Sequence, residues 1–214
     1  MLARVRGEVR RPYDRAMPEV LTRRQVDLLR RLTDLVVAEG FRHLTLDGLA
    51  ERLHCSKTTL YALAPSKEGL AVRAVNGFFR SATDLVESRV AAEPVALRRI
   101  QVYVDAIAEA FEPVSRRFIE DVSADEATRA SYRHNAVAAG QRVRELVDEA
   151  AGAGQVAPVD AVFVATWLGL SIEAIQRGEF ADRAGLSDAD AFGELSRMLA
   201  RALARPAEPA QPVG

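Results

Sequence analysis

Cysteine is nearly missing from this chain. Cys55 is the only one among 214 residues, so no disulfide can close within the chain and the paired-cysteine metal clusters are excluded. Lysine is almost as scarce: of 29 basic residues only Lys57 and Lys67 are lysines, and the rest are arginines. The planar guanidinium is therefore used nearly everywhere, and the compact ammonium is kept for two neighbouring places. Of the histidines, His43, His54 and His134, none stands at helical ligand spacing from another histidine or a cysteine, and no metal site is expected. The longest apolar run, Ala161 to Ile172, is broken by Thr166, Gly169 and Ser171. It falls short of the ~20 residues that span a bilayer and reads as a buried helix, so no membrane partner is expected. Nowhere do apolar and polar residues alternate long enough for a strand. Gly152-Ala153-Gly154 follows a helical pattern and lacks the third glycine of a dinucleotide loop, so it reads as a helix stop. Nothing forms a nucleophile, base and orienter set, and neither a catalytic residue nor a cofactor is expected.

What is present is a 49% hydrophobic composition, enough for a core without staples. The net charge of -1 hides an asymmetry, because residues 1–80 hold 15 basic against 9 acidic side chains and residues 81–214 hold 14 against 21. A basic module that meets a polyanion, followed by an acidic one that does not, is the arrangement this suggests. Residues 1–20 mix Arg4, Arg6, Arg10, Arg11 and Arg15 with Pro12 and Pro18 and show no period. They read as a flexible basic arm, either entering a minor groove or remaining a solvated tail. With no apolar stretch for a signal peptide there, a cytoplasmic protein is expected.

Helical spacing begins at Arg23 and runs to Glu39, with Leu28, Leu29, Leu32, Leu35 and Val36 on one face and Gly40 as the stop. Thr45 caps a second helix with the stripe Leu46, Leu49, Ala50, Leu53. Ser56 caps a third, to about Ala64, and Ser66 a fourth, to near Val90. Pro94 is placed to open the next helix, which ends before Pro113. Helices are then expected over Val114–Asp121, Asp125–Ala151 and Val159–Gln176, with a last one capped by Ser187 and striped by Phe192, Leu195, Leu199 and Leu203. The class is all-α.

The segment Thr45 to Leu70 has the parts of a helix-turn-helix. Ala50 is the small residue where two helices cross, and a tight turn follows Leu53. The second helix has an apolar inner side in Cys55, Leu60 and Leu63 and an outer side of Lys57, Thr58, Thr59, Tyr61 and Ala62. Cys55 faces inward and is expected to behave as a small buried hydrophobe.

Over residues 23–75 the chain resembles the DNA-binding domain of the TetR family of bacterial transcription regulators. The resemblance lies in Gly40-Phe41, Thr45, Ser56-Lys57-Thr58-Thr59-Leu60-Tyr61 and Ser66-Lys67-Glu68, followed by Gly69-Leu70. It departs from the family at His54, where a turn glycine is usual, and at Leu63 and Ala64, where larger or aromatic residues are usual. The resemblance implies that Thr45 and Tyr61 give hydroxyls to phosphates and that Lys67 adds a point charge to a phosphate. Lys57, Thr58 and Thr59 would reach base edges or the flanking backbone.

It implies further a three-helix DNA-binding domain at residues 21–66, then a connector helix and a ligand-binding and dimerisation domain at 67–205. The proline-rich residues 206–214 read as a disordered tail. Tyr103, Phe111, Phe118, Tyr132 and Trp167, with Phe79, are the candidate ligand lining, and Arg116 or Asn135 the polar anchors. Trp167, Leu168, Ile172, Phe192, Leu195 and Leu199 are the candidate dimer interface. The function implied is a homodimeric repressor that leaves a double-stranded DNA operator when an unidentified small-molecule effector binds. The alternative is a DNA-binding protein of the same fold that needs no ligand.

Overall fold

The computed structural model describes residues 21–156 and 159–203; the expected arm and tail lie outside them. The architecture is all-α, in ten helices among the described residues: α1 (Arg23–Glu39), α2 (Leu46–Arg52), α3 (Lys57–Tyr61), α4 (Lys67–Ala92), α5 (Ala96–Phe111), α6 (Arg116–Ala124), α7 (Glu126–Gly152), α8 (Ala161–Gln176), α9 (Glu179–Ala184) and α10 (Asp188–Leu203).

Most starts are written locally. Thr22 opens α1 in a reciprocal capping box with Gln25, and Thr45, Ser56, Ser66, Ser115, Asp125 and Asp160 each accept a backbone N–H from the first turn of the helix they precede. Two expectations shift. α3 closes at Tyr61 rather than near Ala64, and Pro94 lies just outside α5, whose N-cap is Val95. α9 has no counterpart in the periodicity. It is six residues long, buries no side chain, and stands between two left-handed glycines, Gly178 and Gly185.

Two apolar cores form. The first joins α1, α2 and α3 to the early part of α4, Leu70 to Phe79, and takes Phe118, Ile119 and Val122 from α6. The second joins Val86 and Val90 of α4 to α5, α7, α8 and α10. The boundary expected at residue 66 falls at the N-cap of α4. α4 runs through both cores, and α6 closes the first from the other side. Where α1 crosses α4, the missing side chain of Gly77 admits Thr33, whose hydroxyl oxygen would lie 2.9 Å from a Cβ there. No described helix is long and apolar enough to cross a membrane.

Candidate nucleic-acid interface

α2 and α3 are held together by Leu49, Leu53, Leu60 and Leu63, all buried in the first core. The turn between them needs one residue in the left-handed region. That residue is His54 at φ 49, in the place where the family resemblance puts glycine. Its N–H reaches the Glu51 carbonyl at 3.1 Å and that of Cys55 reaches Ala50 at 2.9 Å, so the last carbonyls of α2 are satisfied and the turn closes. Histidine tolerates this conformation better than a branched side chain would. Arg31 of α1 donates to the Leu53 carbonyl and ties the turn to the first helix. Cys55 is half-buried, and burial pushes its thiol up despite the neighbouring Arg31. Beyond α3, Leu63 and Ala64 are buried. A Cβ on Gly69 would meet that of Ala64 at 3.1 Å, so the small residues at this corner let the start of α4 close onto it.

α3 is five residues long, and its two sides separate cleanly. Leu60 is 0% exposed, whereas Lys57, Thr58, Thr59 and Tyr61 face outward, Tyr61 at 47%. The Ser56 hydroxyl accepts the Thr59 N–H at 3.1 Å and lies 2.8 Å from the Thr59 hydroxyl. That leaves Thr58 and Tyr61 as the outward hydroxyls not spent on the cap. Thr45 is exposed and accepts from the Gly48 N–H at 3.1 Å. A capping hydroxyl accepts with its oxygen, so its own proton stays available to a phosphate.

Both lysines already have partners. The Lys57 ammonium lies 2.6 Å from the Asp47 carboxylate, which holds it above the usual lysine range. Lys67 donates to the Arg42 carbonyl at 2.7 Å, bridging α4 to the loop before α2. An ammonium carries three donors, so either lysine can take a further acceptor without leaving its partner. Lys67 also holds the loop. Of the six expected contact residues, five are exposed and Lys67 is half-buried. Asp47, which the sequence presents only as an ordinary first-turn acid of α2, stands among them.

The loop before α2 is stitched to α6. The Asp121 carboxylate, buried, accepts the N–H groups of Phe41 and Arg42 at 2.7 and 2.9 Å. Both the N–H and the hydroxyl of Ser115 reach the Val37 carbonyl at 3.0 Å. Gly40 at φ 78 and ψ -177 occupies a region open to glycine alone, and a Cβ there would fall 2.6 Å from Asp121 Oδ2. At the start of α6 the Arg116 guanidinium covers Gly178, where a Cβ would be 2.5 Å from its Nη2. Sequence reasoning named Asp121 only as the end of a short helix. The signal was its place on the apolar stripe of Phe118, Ile119 and Val122, where an acid needs donors.

The expected ligand-lining residues lie in different parts of the fold. Tyr103 is buried in the second core and donates to the Ala139 carbonyl at 3.3 Å. Phe111, Phe118 and Tyr132 join Phe78 and Phe79 in an edge-to-face cluster, with ring centroids 5.1 Å apart for Phe78 and Phe111 and 5.9 Å for Phe79 and Tyr132. Tyr132 donates to Gln176 at 2.8 Å, and burial, with Glu173 nearby, pushes its phenol up to about 12. Trp167 lies elsewhere, half-buried beside an open apolar hollow of about 460 Å³ between α8 and α10. The expected anchor Asn135 donates to Ser131 one turn back, and Arg116 is engaged at Gly178.

The dimer candidates differ in burial. Leu168, Phe192, Leu195 and Leu199 are buried within the chain's own second core, and only Trp167 and Ile172 remain half-exposed. The stripe read along the last helix is its inward side. On these two helices the large apolar side chains left exposed are Val162, Phe163 and Leu170 of α8 and Met198 of α10. α8 is apolar on most faces, so its pattern could not say which face the chain itself would cover.

No protein-family model matches this chain, and no curated protein does. Solved structures do. A TetR-family transcriptional regulator from Agrobacterium tumefaciens superposes with a TM-score of 0.67 at 15% identity, covering 85% of this chain and 97% of that one. A transcriptional regulator from Saccharomonospora viridis, crystallised in complex with choline, gives 0.72 at 16% identity over 85% and 98%. The reduced form of NemR from E. coli gives 0.71 at 17% identity over 86% and 99%. Neighbours so remote in sequence agree on the whole helical plan, and the fold of this chain is that of the TetR-family transcriptional regulators.

Proposed function

We propose that this chain is a sequence-specific DNA-binding transcriptional regulator, a homodimeric repressor that leaves its operator when a small molecule binds. The observation that carries this is α3: its outward Lys57, Thr58, Thr59 and Tyr61 stand on one edge while Leu60 and Leu63 bolt the other edge to α2 and α1. A rigid helix with polar side chains on the free edge is what the major groove admits. Thr45 and Lys67 flank it at positions suited to the phosphate backbone. Two copies related by a two-fold axis would read half-sites about 34–36 Å apart. The exposed Val162, Phe163 and Leu170 of α8 supply an apolar face for the second copy. The stitched joint of α6 to the loop before α2 gives the C-terminal helices a grip on the interface, so that a ligand favouring a different helix spacing would lower affinity. The choline complex of the S. viridis regulator supports a small-molecule effector for a chain of this fold.

The test is a low-salt selection of fragmented genomic DNA on the purified protein, repeated with a pooled metabolite extract. A discrete fragment with an inverted repeat, released by the extract, is the expected result. Retention of no fragment under either condition overturns the reading. A second reading, DNA binding without an effector, is favoured by the way Phe111, Phe118 and Tyr132 are spent on core packing. Binding of a discrete fragment that no metabolite pool releases would select it.

A further inference from the structure

Asp47 is an acid where an interface for a polyanion should not need one. Its carboxylate is 78% exposed and lies 2.6 Å from the ammonium of Lys57, the first residue of α3 and itself 49% exposed. Lys57 is the cation that leads the outward edge of α3; the other lysine, Lys67, is drawn to the Arg42 carbonyl instead. Two consequences follow from the pair. A neutralised ammonium gains less from a chance phosphate, because fewer counterions are released when it docks. An ammonium tethered on one side has its remaining donors restricted in direction, and a guanine edge offers two acceptors to donors so held.

We propose that Asp47 is a specificity-determining residue that acts through Lys57, holding its ammonium for a base edge and withholding it from the backbone, so that affinity for random DNA is lowered more than affinity for the operator. This rests on the DNA-binding reading above. A carboxylate on its own at this surface would repel all duplexes alike. The distinguishing feature is that the effect of Asp47 passes through one lysine.

The experiment uses the full chain, the tightest duplex recovered from a random-sequence pool by the unaltered protein, and a scrambled duplex of equal length. Affinities are measured from 50 to 200 mM salt for the unaltered protein, Asp47→Asn, Lys57→Ala and the double variant. For Asp47→Asn, binding to the scrambled duplex should tighten. Its log–log salt slope should steepen by about 0.9, so that the loss of affinity across this range grows about 3.5-fold. The preference for the selected duplex should fall about fivefold. In the Lys57→Ala background the same substitution should change neither slope nor preference. Both side chains are exposed, so thermal midpoints should hold and report intact folding. If Asp47→Asn leaves slope and preference unchanged while the unaltered protein binds its duplex, the inference falls and the DNA-binding reading stands. Equal effects with and without Lys57 would show a bare charge and also overturn it. An unaltered protein that recovers no duplex from the pool would remove both.

Discussion

Tyr61 holds a phenol outward on the last turn of α3 while its neighbour Leu60 is fully enclosed. A truncation there should touch recognition and not folding. Tyr61→Ala is expected to cost about 1 kcal/mol of operator binding, near fivefold in affinity, the worth of one hydrogen bond, with an unaltered thermal midpoint. Fluorescence anisotropy on the selected duplex checks the first and calorimetry the second. Tyr132 is the opposite case, a phenol turned inward. An unfolded tyrosine titrates near pH 10, and the folded one at about 12. A raised value means the neutral form is the one the fold accommodates. The stability it contributes is complete below pH 10 and is lost as pH climbs through 12. Urea unfolding should show about 3 kcal/mol disappearing across that window. Tyr132→Phe, which has nothing to ionise, should lose that much less over the same range. An identical pH dependence in the two proteins would mean that Tyr132 ionises freely in the fold. The outward residues of α3 were legible from the motif and its caps. The partner of Lys57 was not, since whether Asp47 meets it depends on how α2 crosses α3.

Among the elements, α6 is the one whose importance exceeds its length. It contributes Phe118, Ile119 and Val122 to the first core and offers Asp121 to two backbone N–H groups of the loop that leads into α2. Asp121→Ala would leave the Phe41 N–H buried, and the Arg42 N–H partly buried, without an acceptor, and the expected cost is about 2 kcal/mol. Urea denaturation measures it, and faster hydrogen exchange at the Phe41 and Arg42 amides localises it. Asp121→Asn, which keeps an acceptor oxygen, should recover part of the loss. An alanine variant as stable as the parent would show the joint to be dispensable. Nine of the ten described helices could be read from spacing and caps, because those signals are local. α9 could not, for it has no apolar stripe and exists because Gly178 and Gly185 turn the chain on either side of it.

At the scale of the whole molecule the unpaired surface is α8. Phe163 is 69% exposed and Leu170 61%, values unusual for large apolar side chains unless something covers them. Phe163→Glu should therefore leave the fold intact and yield a monomer in sedimentation velocity at concentrations where the parent is a dimer. Because one half-site binds weakly, operator affinity should fall with it. A parent that is already monomeric, or a variant that still dimerises, would remove this face from the interface.

The division between what the chain spells out and what it does not is a division between local and distant causes. Capping side chains, helical periodicity and the Ser56–Tyr61 motif determined the all-α class, most helix boundaries and the outward edge of α3, since each acts over a few residues along the backbone. Only tertiary packing decided that Phe118 and Tyr132 are core, that Leu195 and Leu199 turn inward while Phe163 turns out, and that Asp47 and Asp121 find partners. Burial belongs to the space between helices, and a helix apolar on most of its faces does not say which neighbour will cover which side.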